Sequence, residues 1–474
     1  MPDEAKKILF KSQARQKIFQ GIQLITDAVK TNFGKNYEYF DDDFIKDLIS
    51  NYIKDDFEKI GAEFALKTAY KTRKCSSDGA TRALIMLEAI LKKGLKLIDR
   101  NICPQSVNKE LDLALTKLML KIEKMTYLIK DEEDIAKISN YYARNDKEVS
   151  RSVTKCLKKV GMSGIVMVEE AQNQTTKIKL ASGLEINEGY LSNYFCNNES
   201  NTLVEFDSCN LLIIDKKISS IQEIFPILKH LTRTQKELLV IARDIQEDVV
   251  STLAMNKLQK TIKIAAVKSP YNRPELMKDI ASLTNSKIIT QGDDLLNQFH
   301  SALGYVDKVI VYKDRTVIAV RKAHSPTCDH LKNKIAIIST GRNEQKKLYE
   351  SCITKTTDAI KHGVIAGGNI GLLFALTSLN FSDLRIGGKL LKAAIYAPLI
   401  QIISNAGCDP LHILDRICRM GYPNGFNLTS HQVENFLKCG ILDPVNVIKS
   451  SLSNAISTAK TILLTEAVMT NSTD

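Results

Sequence analysis

The feature that most constrains the fold is a change in hydrophobic periodicity along the 474 residues. Both ends of the chain carry apolar residues at helical spacing, as in Ile18, Ile22 and Ile25. From Ile165 onward, short apolar runs alternate with helical stripes, which is typical of a parallel sheet flanked by helices. Helical spacing returns after Gly363. This order predicts an α/β domain inserted, through a small connecting domain, into an all-helical domain.

A short polar stretch, residues 75–82 (CSSDGATR), joins two predicted helices in the N-terminal part. Backbone N–H groups at the start of a helix have no intrahelical acceptor, so this loop suits an anion such as phosphate. An aspartate beside a phosphate needs a cation or a reacting water between them. Asp78 is therefore a candidate for Mg²⁺ or for the attacking water. The alternative is that Asp78 is only an N-cap, because aspartate is common before helices.

Composition and charge exclude several classes of protein. The net charge is +12, but basic residues are scattered and no nucleic-acid motif is present, so no nucleic-acid partner is predicted. Ten cysteines without a CxxC pair indicate reduced thiols and a cytoplasmic protein. No apolar signal region or membrane-length apolar run is evident, so no membrane association is predicted. His324, Cys328 and His330 lack a fourth ligand at fixed spacing, which does not favour zinc.

Four motifs, in this order, make the chain resemble the group I chaperonins of the bacterial GroEL type. Residues 71–72 (KT) and 78–81 (DGAT) resemble the family's KT…GDGTTT loop. Residues 189–195 (GYLSNYF) resemble its GYLSPYF motif, residues 363–369 (GVIAGGN) resemble its GVVAGGG motif, and residues 441–444 (ILDP) match its ILDP. The resemblance runs over almost the whole chain.

The resemblance implies a multidomain α+β and α/β chaperonin fold. Its all-helical equatorial domain would comprise residues 1–125 and 362–474, and its small intermediate domain residues 126–181 and 330–361. The inserted α/β apical domain, which binds polypeptide, would span residues 182–329. In such proteins the equatorial domain binds ATP and makes most ring contacts.

The resemblance also implies a nucleotide site with ATP and Mg²⁺ as cofactors. Asp78 falls at the family's metal-binding aspartate, and Asp443 at the aspartate that binds the sugar. A second acidic position falls on Asp43 by gapless counting from Phe57, with Asp47 as the rival. The implied nucleotide-binding residues are Gly34, Asp78, Gly79, Ala80, Thr81, Arg82, Gly368 and Asp443.

Several site positions depart from the family pattern. The family places a catalytic aspartate twelve residues before the first glycine of GVVAGGG, and that position is Ser351 here. Serine is not an anionic base and orients water less strongly. Ala80 and Arg82 stand where the family has threonines, and Tyr141 and Tyr142 replace an Ile-Ser pair that touches the nucleotide. We therefore expect partly retained ATP binding and weakened or lost hydrolysis.

The family's apical polypeptide-binding positions are all apolar or aromatic in this chain. Two such helices side by side would form an apolar groove that accepts unfolded segments without reading their sequence. The alternative is that the residues are core, which is the stronger interpretation for Leu228 taken alone. The positions are Tyr190, Tyr194, Phe195, Phe225, Leu228, Val250, Ala254 and Met255.

The sequence thus predicts a divergent, shortened chaperonin paralogue that binds unfolded polypeptides. Its expected assembly is a homo-oligomeric ring or a mixed ring with a paralogue, and a co-chaperonin is a further candidate partner. Two alternatives stay open. One is a fully ATP-cycling folding chaperonin, and the other is a non-ATPase interaction or scaffold protein that kept only the fold.

Overall fold

The chain forms two compact units in a computed structural model. One unit comprises Met1–Thr154 with Leu348–Asp474, and the other Lys155–Lys347. The three-domain boundaries given above stay a prediction. The structure describes residues 6–31, 33–34, 42–76, 78–129, 131–144, 146–161, 164–170, 176–198, 203–234, 236–269, 274–290, 302–320, 333–341, 343–380 and 385–471.

The first part of the chain is mainly helical, as its periodicity predicts. Leu84, Leu87, Leu91 and Leu95 form the buried stripe of one long helix. The elements are β1 Lys6–Phe10, α1 Lys11–Lys30, α2 Asp42–Tyr52, α3 Asp56–Ser76, α4 Ala80–Ile98, α5 Pro104–Met125, α6 Glu132–Tyr142 and α7 Lys147–Val160.

The middle of the chain alternates between strands and helices, which confirms the predicted change of period. Its strands are β2 Ile165–Glu170, β3 Lys177–Ile186, β4 Val204–Ile218, β5 Leu238–Ile245, β6 Ile264–Lys268, β7 Ile288–Ile289, β8 Leu303–Val311, β9 Thr316–Val320 and β10 Asn333–Thr340. Its helices are α8 Phe225–Thr234, α9 Glu247–Leu258 and α10 Pro274–Thr284, with short 3₁₀ turns at Asn193–Phe195 and Ile221–Glu223.

The strands of this unit form one mixed sheet in the order β2-β10-β3-β9-β8-β4-β5-β6, with β7 beside β4. Strands β4, β5 and β6 are parallel, and Leu212 pairs with Val240, which pairs with Ala266. Parallel neighbours need crossover connections, and such crossovers are right-handed. Helices α8 and α9 are those crossovers, so both cover the same face of the sheet.

The last part of the chain returns to helices but is not purely helical. Its elements are α11 Asn343–His362, β11 Val364–Ala366, α12 Ile370–Thr377, α13 Arg385–Asn405, α14 Pro410–Met420, β12 Asn424–Asn427, β13 Gln432–Asn435, α15 Phe436–Cys439, β14 Leu442–Pro444, α16 Val445–Leu463 and β15 Ala467–Asn471. Strand β11 pairs with β14, β12 with β13, and β1 with β15, where Ile8 lies opposite Met469.

These strands correct the expectation of an all-helical domain at the two chain ends. β1 lies within the first 125 residues, which were expected to be all-helical. Each of the missed strands has five or fewer residues, and β1 finds its partner at the other end of the sequence. A short strand stabilised by a distant partner leaves little alternation for periodicity to detect.

The core of the first unit is built by α1, α3, α4, α5, α13 and α16, which contribute buried residues to one cluster. Two glycines let α1 and α3 approach closely. A Cβ on Gly21 would lie 1.9 Å from the Glu58 carbonyl oxygen, and a Cβ on Gly61 would lie 2.0 Å from that of Ile18. Helix α4 contacts α1, α3, α13 and α16, which fixes the loop at its N-terminus.

Helix α13 changes one expectation from the sequence. In the described part of the chain it is the helix whose length and composition would suffice to cross a membrane, although no run of that kind was expected. It contacts α4 and α5, and Leu390, Leu391, Ala394 and Ile395 lie in the core of the first unit. A buried core helix passes the same test, so α13 carries no membrane assignment.

The cysteines agree with the expectation of reduced thiols. Nine of the ten lie within the described residues, and each of these is a free thiol. His324, Cys328 and His330, the cluster considered for zinc, lie outside the described residues.

Candidate functional site

The loop between α3 and α4 is held in place by α16. Gly79 has a φ of 85°, and a Cβ at this position would lie 2.2 Å from the Ser451 hydroxyl, so no other residue fits without displacement. The Ser451 hydroxyl lies 3.0 Å from the Gly79 carbonyl oxygen. The Asn446 side chain donates to the Cys75 carbonyl at 3.0 Å. Gly79 and the end of α3 are therefore held against α16.

Asp78 lies in this loop with both carboxylate oxygens engaged. The Gly79 N–H donates to Oδ1 at 2.6 Å, and the Lys355 ammonium lies 2.9 Å from Oδ2. About a quarter of the Asp78 side chain is exposed. Burial opposes ionisation of Asp78, but the charge and hydrogen bond of Lys355, the Gly79 N–H and the Arg82 charge together outweigh it and lower the pKa of the carboxyl below its ordinary value. Asp78 is thus an ionised carboxylate paired with a cation from α11.

Arg82 and Asp443 form a second ion pair beside the first. Arg82 Nη2 lies 2.6 Å from Asp443 Oδ2, and both side chains are nearly buried. Arg82 belongs to the first turn of α4, while Asp443 lies on β14 opposite Ile365 of β11. The pair therefore joins the start of α4 to the small β11–β14 sheet.

Two tyrosines from α6 complete this group. The Tyr142 hydroxyl donates to the Leu442 carbonyl at 2.8 Å, and the Lys355 ammonium lies 5.6 Å from the centre of the Tyr142 ring. Tyr141 packs edge-on against Tyr142 with ring centres 5.2 Å apart. Tyr141 is 37% exposed, but desolvation of its hydroxyl raises the pKa of that group, and the Asp443 carboxylate raises it further. Tyr141 is thus a neutral phenol beside Asp443.

A third carboxylate, Asp358, lies on α11 three residues beyond Lys355. Its Oδ1 accepts from the Asn446 amide at 3.0 Å and lies 2.9 Å from His362 Nδ1. Its Oδ2 is buried without a hydrogen-bond partner among the described residues. Burial raises the pKa of Asp358, although Asn446 and His362 act in the opposite direction.

The remaining nucleotide-site predictions fall in different places. Asp43 on α2 is exposed and pairs with Lys46 at 2.7 Å, while Asp47 is also exposed. Gly34 has a φ of 94° and lies against Ile402 of α13. Gly368 has a φ of 58° in the turn after β11.

The other predicted residues flank the two ion pairs. Ala80 is buried and Thr81 half-buried in the first turn of α4. Ser351 is half-buried on α11, four residues before Lys355, so the two share a helix face. The described contacts bring the predicted residues Asp78, Arg82 and Asp443 together. They also bring Lys355, which was not predicted, to the same group.

The second unit carries the predicted polypeptide-binding residues in two groups. Phe195, Leu228 and Ala254 are core residues, so for these three the alternative interpretation holds. Tyr190 and Val250 are half-buried. Phe195, Leu228 and Ala254 therefore support the surface and do not line it.

The exposed members of the set are Tyr194, Phe225 and Met255, with exposed fractions of 63%, 57% and 55%. Leu258, one turn after Met255 on α9, is 51% exposed and belongs with them. The 3₁₀ turn containing Tyr194 contacts α9, and the Lys257 ammonium donates to the Cys196 carbonyl at 2.5 Å. We call these four residues the exposed apolar set: Tyr194, Phe225, Met255 and Leu258.

Comparison with known proteins decides the family. The model of the TCP-1/cpn60 chaperonin family matches residues 58–473. The chain belongs to the TCP-1/cpn60 chaperonin family. This confirms the resemblance inferred from the motifs, and family membership supports a chaperone role.

A solved chaperonin shares the fold. The chaperonin gp146 from the bacteriophage EL 2 (Pseudomonas aeruginosa), crystallised in the presence of ATP-BeFx, matches with a TM-score of 0.67 and 16% sequence identity. The match covers 98% of this chain and 99% of that chain. At this identity the match shows the fold alone, and it confirms the predicted mixed chaperonin architecture.

The residues of this chaperonin chain do not fit a magnesium ion at Asp78. One carboxylate oxygen accepts a backbone N–H and the other is paired with Lys355. Within the described residues, no three His, Cys, Asp or Glu side chains lie together so as to hold a metal ion. Mg²⁺ requires near-octahedral oxygen ligands, and an ammonium on the carboxylate blocks that coordination.

Lys355 was not predicted from the sequence. It stands one helical turn after Ser351, so the helical period alone places it on the same face of α11. That spacing was visible in the sequence, but the reach of its side chain to Asp78 depends on how α11 packs beside α4.

Proposed function

We propose that this chain is a chaperone that binds unfolded polypeptide, retains partial ATP binding and hydrolyses ATP slowly or not at all. The exposed apolar set is the observation that carries the proposal. Four large apolar side chains are each more than half exposed on one unit. Exposed apolar clusters on soluble folds mark surfaces for apolar partners, and side-chain packing without fixed polar contacts favours no single sequence.

The group around Asp78 and Asp443 at the start of α4, which we call the pocket, supports the nucleotide part of the proposal. The first-turn N–H groups of α4 suit a phosphate, and the left-handed backbone of Gly79 forms the turn that leads into them. Arg82 already occupies one oxygen of Asp443, so a ribose hydroxyl would have to share that carboxylate with the guanidinium. Nucleotide binding therefore competes with the Arg82–Asp443 ion pair, and we expect a weak affinity for nucleotide.

Position 351 supports slow or absent hydrolysis. Attack on the γ-phosphate needs a group that orients water and accepts its proton, and a serine hydroxyl is a poor base near neutral pH. One helical turn after Ser351, α11 carries Lys355, whose ammonium cannot accept a proton.

Capture of unfolded protein is the first test. A chemically denatured model protein is diluted into buffer with or without the chain, and its aggregation is followed by light scattering. We expect aggregation to be suppressed at a stoichiometric ratio, with and without ATP. Unchanged aggregation would instead favour the scaffold alternative.

Turnover of ATP is the second test. We expect the wild-type rate to equal background, and Ser351→Asp combined with Lys355→Met, which removes the ammonium from Asp78, to raise it by at least about tenfold, because general-base catalysis contributes about 10²–10⁴. Thr354→Asp with Lys355→Met, which adds a carboxylate to the same helix, is the matched control. A wild-type rate well above background that Ser351→Asp leaves unchanged would show a fully cycling chaperonin.

The proposed assembly is a ring of this chain or a mixed ring with a paralogue, with a co-chaperonin as a further partner. Light scattering coupled to size exclusion gives the molar mass directly. A mass of many subunits supports the ring, whereas a monomer indifferent to ATP supports the scaffold alternative.

A further inference from the structure

The strongest unexplained feature of the candidate pocket is the cation that already sits on Asp78. Lys355 Nζ lies 2.9 Å from Asp78 Oδ2, within the range of a charge-assisted hydrogen bond. Its side chain is only 14% exposed, and the Tyr142 ring lies beneath the ammonium. The lysine is thus held by its surroundings and is not a mobile surface side chain.

The chemistry of this pair is that of a replaced metal ion. A divalent ion at this aspartate would bridge the carboxylate and a phosphate oxygen. An ammonium has three N–H donors, so one lysine is able to bridge the same two kinds of oxygen with half the charge. The carboxylate oxygen opposite Lys355 is also taken, since it accepts the Gly79 N–H at 2.6 Å.

We propose that the Lys355 ammonium replaces the divalent cation on Asp78, so that the pocket binds no divalent ion and takes nucleotide as the metal-free anion. The second half rests on the proposed nucleotide binding, whereas the first half concerns this chain's own residues alone. The charges agree with the absence of a divalent ion, because Asp78 with Lys355 and Asp443 with Arg82 are two neutral pairs without any metal.

Manganese alone tests the first half without any nucleotide. Mn²⁺ is titrated into the full chain, and the free ion is measured by electron paramagnetic resonance. We expect the wild type to bind no Mn²⁺ at Asp78 up to about 1 mM. Lys355→Met keeps the length of the side chain and removes its charge. This variant should gain one Mn²⁺ site at Asp78, with an affinity at least about tenfold higher than that of the wild type.

Two controls make that gain specific to Asp78. Adding Asp78→Asn to Lys355→Met should abolish the new site. Lys59→Met frees another lysine-paired aspartate, Asp56, whose ion pair is 3.0 Å long on α3, and should leave Mn²⁺ binding unchanged. Circular dichroism reports folding, and Lys355→Gln replaces Lys355→Met if the latter unfolds.

Either of two results would overturn the proposal. Wild-type Mn²⁺ binding that disappears in Asp78→Asn would show that Lys355 does not exclude the ion. A folded Lys355→Met protein that binds no Mn²⁺ would overturn the assignment too, because the freed carboxylate would then be no metal position.

A fluorescent ADP analogue tests the second half. We expect wild-type affinity to be equal, within about twofold, in Mg²⁺ and in EDTA, and Lys355→Met to become at least about tenfold dependent on Mg²⁺. Wild-type binding that requires Mg²⁺ would contradict the proposal. Absence of binding in both buffers would refute the proposed nucleotide function, and with it the binding of metal-free nucleotide. The Mn²⁺ titration would still decide the role of Lys355.

Discussion

The pocket at Asp78 and the exposed apolar set meet solvent in opposite ways. In the pocket, Asp78 and Asp443 are each paired with a cation from the same unit, at 2.9 and 2.6 Å. In the other unit, the four members of the exposed apolar set keep more than half of their surface in water. A ligand gains little from groups that are already paired, but it gains from every apolar surface that it covers.

This difference separates two activities that the family combines. A polypeptide segment that covers Phe225 or Met255 removes apolar surface from water and displaces no internal contact. A nucleotide bound there would have to share Asp443 with Arg82 and the Lys355 ammonium with Asp78. On the proposed function, polypeptide binding is therefore the stronger activity of the two, and its dependence on nucleotide is weak.

The largest predicted effect is on the buried ion pair of the pocket. Arg82→Met leaves Asp443 buried without its counter-charge, which should lower the free energy of unfolding by about 3–5 kcal/mol in urea titrations. Arg82→Met with Asp443→Leu should recover most of that loss, because a well-packed apolar pair replaces both charges. Arg243→Met breaks a more exposed pair with Asp215, and should cost at most about 1 kcal/mol. Equal costs for Arg82→Met and Arg243→Met would contradict the buried pairing.

The next effect distinguishes surface from core in the unit Lys155–Lys347. Phe225→Ser should weaken capture of denatured protein about tenfold, since burial of one large apolar side chain contributes about 1.5–3 kcal/mol. It should change the free energy of unfolding by no more than about 0.5 kcal/mol.

Leu228→Ala is the matched comparison, because Leu228 is 7% exposed on the same helix. It should lower the free energy of unfolding by about 2–5 kcal/mol. Capture by the folded fraction should stay unchanged. Loss of capture from the folded Leu228→Ala protein, with none from Phe225→Ser, would reverse the assignment of the two residues.

The smallest effect concerns pH and Asp358. Its pKa is raised in the folded chain, mainly by burial, so the folded state binds this proton more tightly than the unfolded state. Ionised Asp358 therefore opposes folding at neutral pH, and that penalty fades as pH falls through the folded pKa toward the ordinary value of 3.8.

Asp358→Asn should accordingly be more stable than the wild type at pH 7 and equal to it below the ordinary pKa. Thermal unfolding between pH 3 and pH 7 measures the difference, with the exposed Asp415→Asn as the flat control. A variant whose stability relative to the wild type does not change with pH would contradict the buried carboxylate.

The sequence predicts this fold well where the signal is local. The leucine stripe of α4 and the alternation through β4, β5 and β6 each arise from neighbouring residues, and both are confirmed. Motifs also placed Asp78 and Asp443 at one implied site, and the structure brings them together through Arg82 and Lys355.

The missing parts depend on residues far apart in the chain. The partners of Asp78 and Asp443 lie 277 and 361 positions away, at Lys355 and Arg82, and no periodic pattern encodes such pairs. The buried state of Phe195 and Ala254 likewise depends on sheet packing, because the pattern of apolar residues alone does not distinguish a core residue from a surface one.

The pairing of β1 with β15 has a consequence for biosynthesis. Strand β1 emerges from the ribosome long before its hydrogen-bonding partner at Ala467–Asn471. Helix α16, which packs on α3 and α4, is equally late. Lys155–Lys347 is translated before both α16 and β15, so the inserted unit is able to fold co-translationally while the other unit still lacks these two elements.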